Sequence, residues 1–140
     1  MISQKAKYAL RALLVLAKAN PDESHVIGDI AKSNNIPKKF LEQILLELKH
    51  HGILASRRGK AGGYLMARAP RDVTFGEVLR LIDGPVAPLP CLSKTSYQRC
   101  ADCGSEESCE IRKVFAKVAA ATRSVLDQTS LADATNNNIP

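Results

Sequence analysis

Four cysteines stand close together in the second half of this 140-residue chain. They are Cys91, Cys100, Cys103 and Cys109, spaced C-x8-C-x2-C-x5-C. Cysteines that serve only for packing would be scattered along the chain, whereas thiolates on one flexible loop can wrap around a soft metal centre. We therefore predict that these four residues are metal ligands.

Three kinds of chemistry fit this cysteine segment. An iron–sulfur cluster, with two or four irons, is the first candidate. A structural zinc site is the second, because Cys100-x2-Cys103 is a common zinc half-site, although Cys91 and Cys109 do not form a matching pair. A thiol–disulfide sensor is the third. Spacing alone does not separate the iron–sulfur cluster from zinc.

The charge of the chain is unevenly distributed. The formal net charge is +6, and residues 1–70 carry twelve basic and five acidic side chains, a net of +7. A basic half indicates a polyanionic partner, of which nucleic acid is the usual one, although a solvated basic surface gives the same pattern. Aromatic residues are only 4% of the chain, so the core must be aliphatic, which favours helices.

Apolar residues at helical spacing predict three helices in the basic half, at residues 3–19, 27–33 and 37–51. The last two are separated by Asn34-Asn35-Ile36-Pro37. Asparagine tolerates the left-handed conformation of a tight turn, and proline suits the first turn of a helix. The pattern therefore predicts a helix-turn-helix.

A basic hairpin follows the third helix. Residues 53–55 and 64–67 are predicted strands, and residues 57–63 between them are rich in glycine and carry three cations. This arrangement predicts a winged helix-turn-helix that binds double-stranded operator DNA, since one α-helix fits the major groove. The candidate DNA contacts lie at the start of the third helix and on the wing: Lys38, Lys39, Glu42, Gln43, Arg57, Arg58 and Lys60.

The remainder of the chain predicts a helical extension. Thr74 and Glu77 have the spacing of a capping box at the start of a helix that ends near Ile82. After the cysteine segment, an apolar stripe from Ile111 to Val125 predicts a long helix with no partner large enough within so short a chain, and a homodimer would bury it. One further helical turn is expected at 130–134.

These patterns predict a mostly α protein, with a winged helix-turn-helix DNA-binding domain and a long C-terminal dimerisation helix. Its expected parts are a DNA-binding domain (1–84), a cysteine-rich loop (85–109), a dimerisation helix (110–134) and a disordered tail (135–140). We expect a cytoplasmic location, because the sequence has neither a secretory signal pattern nor an apolar run that would span a membrane. We expect no enzyme activity, because the histidines lie far from the cysteines and the acidic residues form no paired arrangement.

Four strings of residues carry a resemblance to a known family. They are Lys7-Tyr8-Ala9-Leu10-Arg11, Asp29-Ile30-Ala31, Phe40-Leu41-Glu42-Gln43-Ile44 and the wing string from Arg58 to Leu65. Through them residues 1–134 resemble the bacterial winged-helix regulators that include the iron–sulfur cluster regulator IscR, the nitric-oxide sensor NsrR, the iron regulator RirA and the cysteine-metabolism regulator CymR.

The resemblance implies a homodimer joined through the long helix, DNA reading by the third helix and wing, and a cluster held by three cysteines. Cys91, Cys103 and Cys109 match those three by position. The chain departs from the pattern in a longer Cys91–Cys103 separation and in the extra Cys100. It has Arg112 and Lys7 where IscR and NsrR have a fourth ligand, and because neither cation is a plausible ligand, Cys100 is the candidate.

Overall fold

The computed structural model describes residues 2–60 and 62–140. The helices and strands are α1 (Gln4–Lys18), α2 (Ile27–Asn34), α3 (Lys38–His50), β1 (Leu54–Arg57), β2 (Gly63–Met66), α4 (Phe75–Asp83), α5 (Glu110–Gln128) and α6 (Leu131–Thr135). Short 3₁₀ helices lie at Pro70–Asp72 and Pro90–Leu92. The mostly helical architecture with one small antiparallel sheet confirms the predicted fold class.

The core is aliphatic, as the composition predicts. The helical stripe of α1 packs against α3, α4 and α6, and its Leu13 is completely buried. Leu41, Ile44 and Leu45 of α3 are also completely buried. Burial of each such side chain contributes roughly 1.5–3 kcal/mol, so α3 is held by its inner face while its outer face stays free.

The turn between α2 and α3 has the predicted chemistry. Asn35 adopts the left-handed conformation (φ 53°, ψ 49°), and the next residue, Ile36, is buried beneath the turn. Pro37 is the N-cap rather than the first residue of α3, so the helix begins one residue later than predicted. The turn therefore fixes the direction in which α3 leaves the core.

The wing is an antiparallel hairpin in which Leu54 pairs with Met66 and Arg57 pairs with Gly63. A third segment, not predicted from the sequence, joins the hairpin. The backbone N–H and C=O of His25 exchange two hydrogen bonds with Tyr64, each 2.8 Å. Gly63 has φ +150°, and a Cβ there would lie 2.1 Å from the His25 carbonyl oxygen. Glycine is therefore required where the wing meets residue 25.

The predicted capping box of α4 is only half formed. The Thr74 hydroxyl accepts a hydrogen bond from Glu77 N at 3.1 Å, as expected. The Glu77 carboxylate does not return to the Thr74 backbone and instead binds the Arg68 guanidinium. The pairing energy of a nearby cation outweighs that of one backbone N–H, which is why the reciprocal bond is absent.

After α5 the chain returns to the core formed by the N-terminal half. Phe75 N donates to Thr129 O at 3.0 Å, and Leu131 N donates to Val73 O at 2.9 Å. Leu131 is completely buried, and Ser130 and Asp133 form a full capping box on α6. The expected turn at 130–134 is thus α6, and it belongs to the core.

The tail keeps some backbone order, since Asn138 N donates to Asp133 O at 2.8 Å. Disorder of residues 135–140 stays a prediction. Among the described residues, every helix is too short or too polar to cross a membrane.

Candidate nucleic-acid interface and cysteine site

The structure places the four predicted DNA contacts of α3 on one exposed face. Lys38, Lys39, Glu42 and Gln43 are all exposed, and they lie opposite the buried stripe of the same helix. No side chain caps the N-terminus of α3, so its first backbone N–H groups are available to an anion. The partial positive charge of this helix end and the two lysines favour a phosphate here.

The wing tip brings the other three predicted contacts together. Arg57, Arg58 and Lys60 are exposed, and Arg57 Nη1 donates to Asp22 O at 2.7 Å. Arg57 therefore fastens the wing to the α1–α2 loop, a role that the sequence did not indicate. In residues 2–60 and 62–140, neither Arg58 nor Lys60 forms an ion pair. Ala61 of the wing string lies outside the described residues.

The cysteine segment folds back on itself. Cys91 is buried in the 3₁₀ helix at Pro90–Leu92, and Gln98 N donates to Pro90 O at 3.2 Å. After this return the Cys100 thiol lies near enough to Cys91 for Cys91 to raise its pKa. Cys103 follows in the same turn, with its N–H donating to Cys100 O at 3.1 Å.

Desolvation raises the pKa of the Cys100 thiol, and the hydrogen bond to Cys91 raises the same pKa further. The negative charge of Asp102 acts in the same direction. Without a bound cation, Cys100 is therefore a thiol at neutral pH rather than a thiolate.

The last cysteine joins the segment to α5. Cys109 is the N-cap of α5, and its sulfur accepts a hydrogen bond from Arg112 N at 3.4 Å. Arg112 Nη2 in turn donates to Cys91 O at 3.4 Å, and its guanidinium lies 3.9 Å from Glu106. The buried Nε of Arg112 has no partner among the described residues. Arg112 thus connects both ends of the cysteine segment.

The donor chemistry of the segment fits a soft metal or an iron–sulfur cluster, because it supplies four thiols. The geometry is incomplete: within the described part of the chain, no three His, Cys, Asp or Glu side chains are placed together as metal ligands. Cys91 and Cys100 adjoin, whereas the Cys109 sulfur caps α5. The four-cysteine ligand set stays a prediction.

A salt bridge connects α4 to α5 near the cysteine segment. Arg80 Nη1 and Nη2 donate to the two carboxylate oxygens of Asp127 at 2.6 and 2.9 Å. Gly76 lies directly beneath, and a Cβ there would be 2.0 Å from Asp127 Oδ1. This pair is not predicted from the sequence. Its only signal was a glycine inside a helical pattern, which often marks close packing.

Residues 2–137 match the Rrf2 family, described as iron-dependent transcriptional regulators. This chain belongs to the Rrf2 family. An rrf2-like helix-turn-helix protein of Rhodobacter capsulatus is 50% identical over 136 residues, which cover 95% of this chain and 91% of that one. The matched Rrf2 relatives are transcription regulators, which confirms the expectation that the chain is not an enzyme.

Two solved Rrf2 structures share the fold. CymR of Bacillus subtilis, described as the global cysteine regulator, has a TM-score of 0.82 at 28% identity and covers 98% of this chain and 97% of its own. IscR of T. potens has a TM-score of 0.74 at 26% identity, covering 98% of this chain and 87% of its own. These neighbours confirm both the winged-helix fold and the resemblance.

Proposed function

We propose that this Rrf2 regulator binds operator DNA as a homodimer, and that its cysteine segment holds an iron–sulfur cluster that sets operator affinity. The supporting observation is the position of the segment. Cys91 is buried near the end of the DNA-binding domain, whereas Cys109 caps the helix that carries the dimer surface. A change at the cysteines therefore acts on both parts at once.

Operator reading falls to α3 and the wing. Lysines at the start of α3 contact phosphates, while Glu42 and Gln43 reach base edges, where glutamate accepts from cytosine N4 and glutamine pairs with adenine. Arg58 and Lys60 on the wing add phosphate contacts or enter the minor groove.

The outer face of α5 is the dimer surface. Five large apolar side chains lie there, exposed by 40–62%: Ile111, Val114, Phe115, Val118 and Val125. A stripe of this size is rarely left in water, and a second copy of the chain related by a two-fold axis buries it against itself.

The cluster ligands in this proposal are Cys91, Cys103 and Cys109, with Cys100 as the fourth. A bound cluster supplies a group that is lost or altered by oxygen, nitric oxide or iron shortage. The chain's own residues would hold the thiolates. Arg112 donates to the Cys91 carbonyl oxygen and so places a positive charge near that residue. Cys109 would have to exchange the hydrogen bond with which it caps α5 for a metal bond. The family description as iron-dependent supports iron over zinc.

Purification without oxygen tests the cluster. We expect a coloured protein with iron and acid-labile sulfide. Cys103→Ala should abolish both and change operator affinity, while Cys100→Ala should leave a cluster that is more easily lost. Ser105→Ala in the same loop is the matched control and should behave as wild type. A colourless protein with one zinc per chain would contradict the cluster and support a structural zinc site.

A thiol–disulfide switch is the second candidate, because the Cys91 and Cys100 thiols are near enough for Cys91 to raise the pKa of Cys100. Hydrogen peroxide would take two electrons and two protons from this pair, giving one disulfide and water. Peptide mapping of the oxidised, metal-free protein should then find the Cys91–Cys100 link together with a change in operator affinity. If affinity is unchanged when this disulfide is complete, the switch is excluded.

A further inference from the structure

A cleft of about 270 Å³ lies between α4, α5 and residues 85–87 and 93–95, which flank Cys91. Three cations line it, Arg80, Lys94 and Arg123, against the single carboxylate of Asp127. Pro85 and Val86 form part of its apolar wall. The formal charge of the lining is therefore positive by two.

The two outer cations surround the carboxylate without pairing with it. Arg123 and Lys94 line the same cleft as Asp127. Hydrogen bonds from Arg80 lower the pKa of Asp127, and the charges of Arg123 and Lys94 lower it further. In residues 2–60 and 62–140, Arg80 is the only cation that forms an ion pair with Asp127. Arg123 and Lys94 thus keep their donors free for another anion.

The base of the cleft is closely packed. Gly76 is the second residue of α4, and glycine is in general less favourable than alanine within a helix. The reason for glycine here is the Arg80–Asp127 pair, because any side chain would collide with the carboxylate. The Arg80–Asp127 pair therefore packs closely against α4, and Lys94 and Arg123 form a candidate anion site beside it.

We propose that this cleft binds a small dianion bearing carboxylate or phosphate groups, held by Lys94 and Arg123 and competing with Asp127 for Arg80. The volume lies just below the range of about 300–1,000 Å³ typical for drug-sized ligands, so the occupant is a small metabolite or an inorganic anion. Planar guanidinium groups match the oxygens of carboxylate and phosphate. Ser93 and Thr95 add hydroxyl groups to the lining.

The ligand would contact the chain between Cys91 and Cys100, since residues 93–95 line the cleft. The proposal is independent of what the cysteines bind. The ligand would provide a second way to change the contact between α4 and α5. A ligand that draws Arg80 away from Asp127 breaks the salt bridge that joins these two helices.

Isothermal titration of the full chain with inorganic phosphate and, separately, with malonate tests the site. Both titrations are run at constant ionic strength set with sodium chloride. We expect one saturable site per chain, and the probe that saturates at the lower concentration identifies the class of ligand. Lys94→Gln and Arg123→Gln should each weaken binding about tenfold or more, the scale of one charge-assisted contact of roughly 1.5–3 kcal/mol.

Asp127→Asn should have the opposite effect on affinity for the probe anion. It removes the competing charge and keeps the side-chain shape, so it should tighten binding of the same probe. Lys117→Gln is the control, because Lys117 is an exposed cation on the same helix that does not line the cleft. The proposal is overturned if neither probe gives saturable heat with the wild type and Asp127→Asn, or if Lys117→Gln weakens binding as much as Arg123→Gln. A circular dichroism spectrum of each variant confirms that it is folded.

Discussion

Glu42 is the acidic side chain in the first two turns of α3, next to two lysines on a face expected to meet phosphates. A carboxylate there would weaken non-specific affinity for DNA, so we infer that its role is to read a base. We predict that Glu42→Ala changes the ranking of operators by about 1–3 kcal/mol at one base position. Binding to a panel of single-base operator variants measures this change.

Glu47 on the same helix supplies the control for Glu42. Its carboxylate binds Lys5 Nζ at 2.7 Å rather than facing outward. Glu47→Ala should therefore leave the ranking of operators unchanged. An unchanged ranking with Glu42→Ala as well would show that Glu42 does not read bases.

The expected effect of Gly76→Ala on the free energy of unfolding changes sign when Asp127 is replaced. In wild type, Gly76→Ala should lower the free energy of unfolding, because the new methyl group meets Asp127 Oδ1. With Asp127→Ala already present the collision is gone, and the same change should stabilise the helix by up to about 1 kcal/mol. Denaturant unfolding of the four proteins completes this double-mutant cycle. Additive effects would mean that the Arg80–Asp127 pair is not what requires glycine.

At the scale of elements, the wing should act mainly through charge. Arg58 is exposed and free of ion pairs within the described chain. Arg58→Ala should lower affinity for all DNA sequences alike and reduce the slope of log affinity against log salt by about one. Lys117→Ala on α5 is the matched loss of a cation and should leave the slope unchanged. An unaltered slope with Arg58→Ala would place the wing away from DNA.

Helix α5 should carry the dimer. Val118 is 45% exposed in the middle of the apolar face. Val118→Asp places a charge where two copies meet, and burying an unpaired charge costs several kcal/mol, so we expect a monomer. Sedimentation at micromolar concentration measures this. Ser124→Asp adds the same charge to the polar side of α5 and should remain dimeric. A dimer that survives Val118→Asp would require another interface.

At the scale of the whole molecule, α6 ties the end of the chain to its beginning. Leu131 is completely buried and belongs to the same core as α1. Leu131→Ala should therefore lower the free energy of unfolding by about 2–5 kcal/mol, the usual cost of such a cavity. Ile139→Ala, at a side chain that is 60% exposed, should have almost no effect. If both changes cost equally little, α6 is not part of the core.

The elements with strong periodicity were predictable because one buried stripe determines them. Helices α1, α3 and α5 each repeat apolar residues over several turns, and the wing carries both alternation and glycine. The exposure of Lys38 follows from the buried stripe of α3, and that of Arg58 from its place in the turn of the hairpin. A single-residue pairing such as His25 with Tyr64 has no period, so nothing in the sequence indicated it.

Contacts between side chains that are far apart in the sequence could not be predicted either, because no periodic pattern relates them. Arg80 and Asp127 are 47 positions apart. Glu77 binds Arg68 instead of the backbone at the start of its own helix only when folding brings Glu77 and Arg68 together. The proximity of Cys91 to Cys100 likewise depends on a backbone return at Gln98. Spacing predicted which residues do the chemistry, but their mutual positions arise from folding.

The attachment of residues 129–131 has a mechanical consequence. Helix α5 has 19 residues, about 28 Å of rigid rod, and its far end is fastened to the DNA-binding core through Phe75 and Leu131. The C-terminal end of α5 is therefore the fixed end about which the helix can tilt, and the N-terminal end, at Cys109, is the end that is displaced. A displacement of about 3 Å at Cys109 tilts the rod by roughly 6°, given the 1.5 Å rise per residue. If the protein is the two-fold dimer proposed above, both rods would tilt together, and we expect a small rearrangement of the thiols to alter the distance between the two α3 helices, which would have to match one turn of DNA.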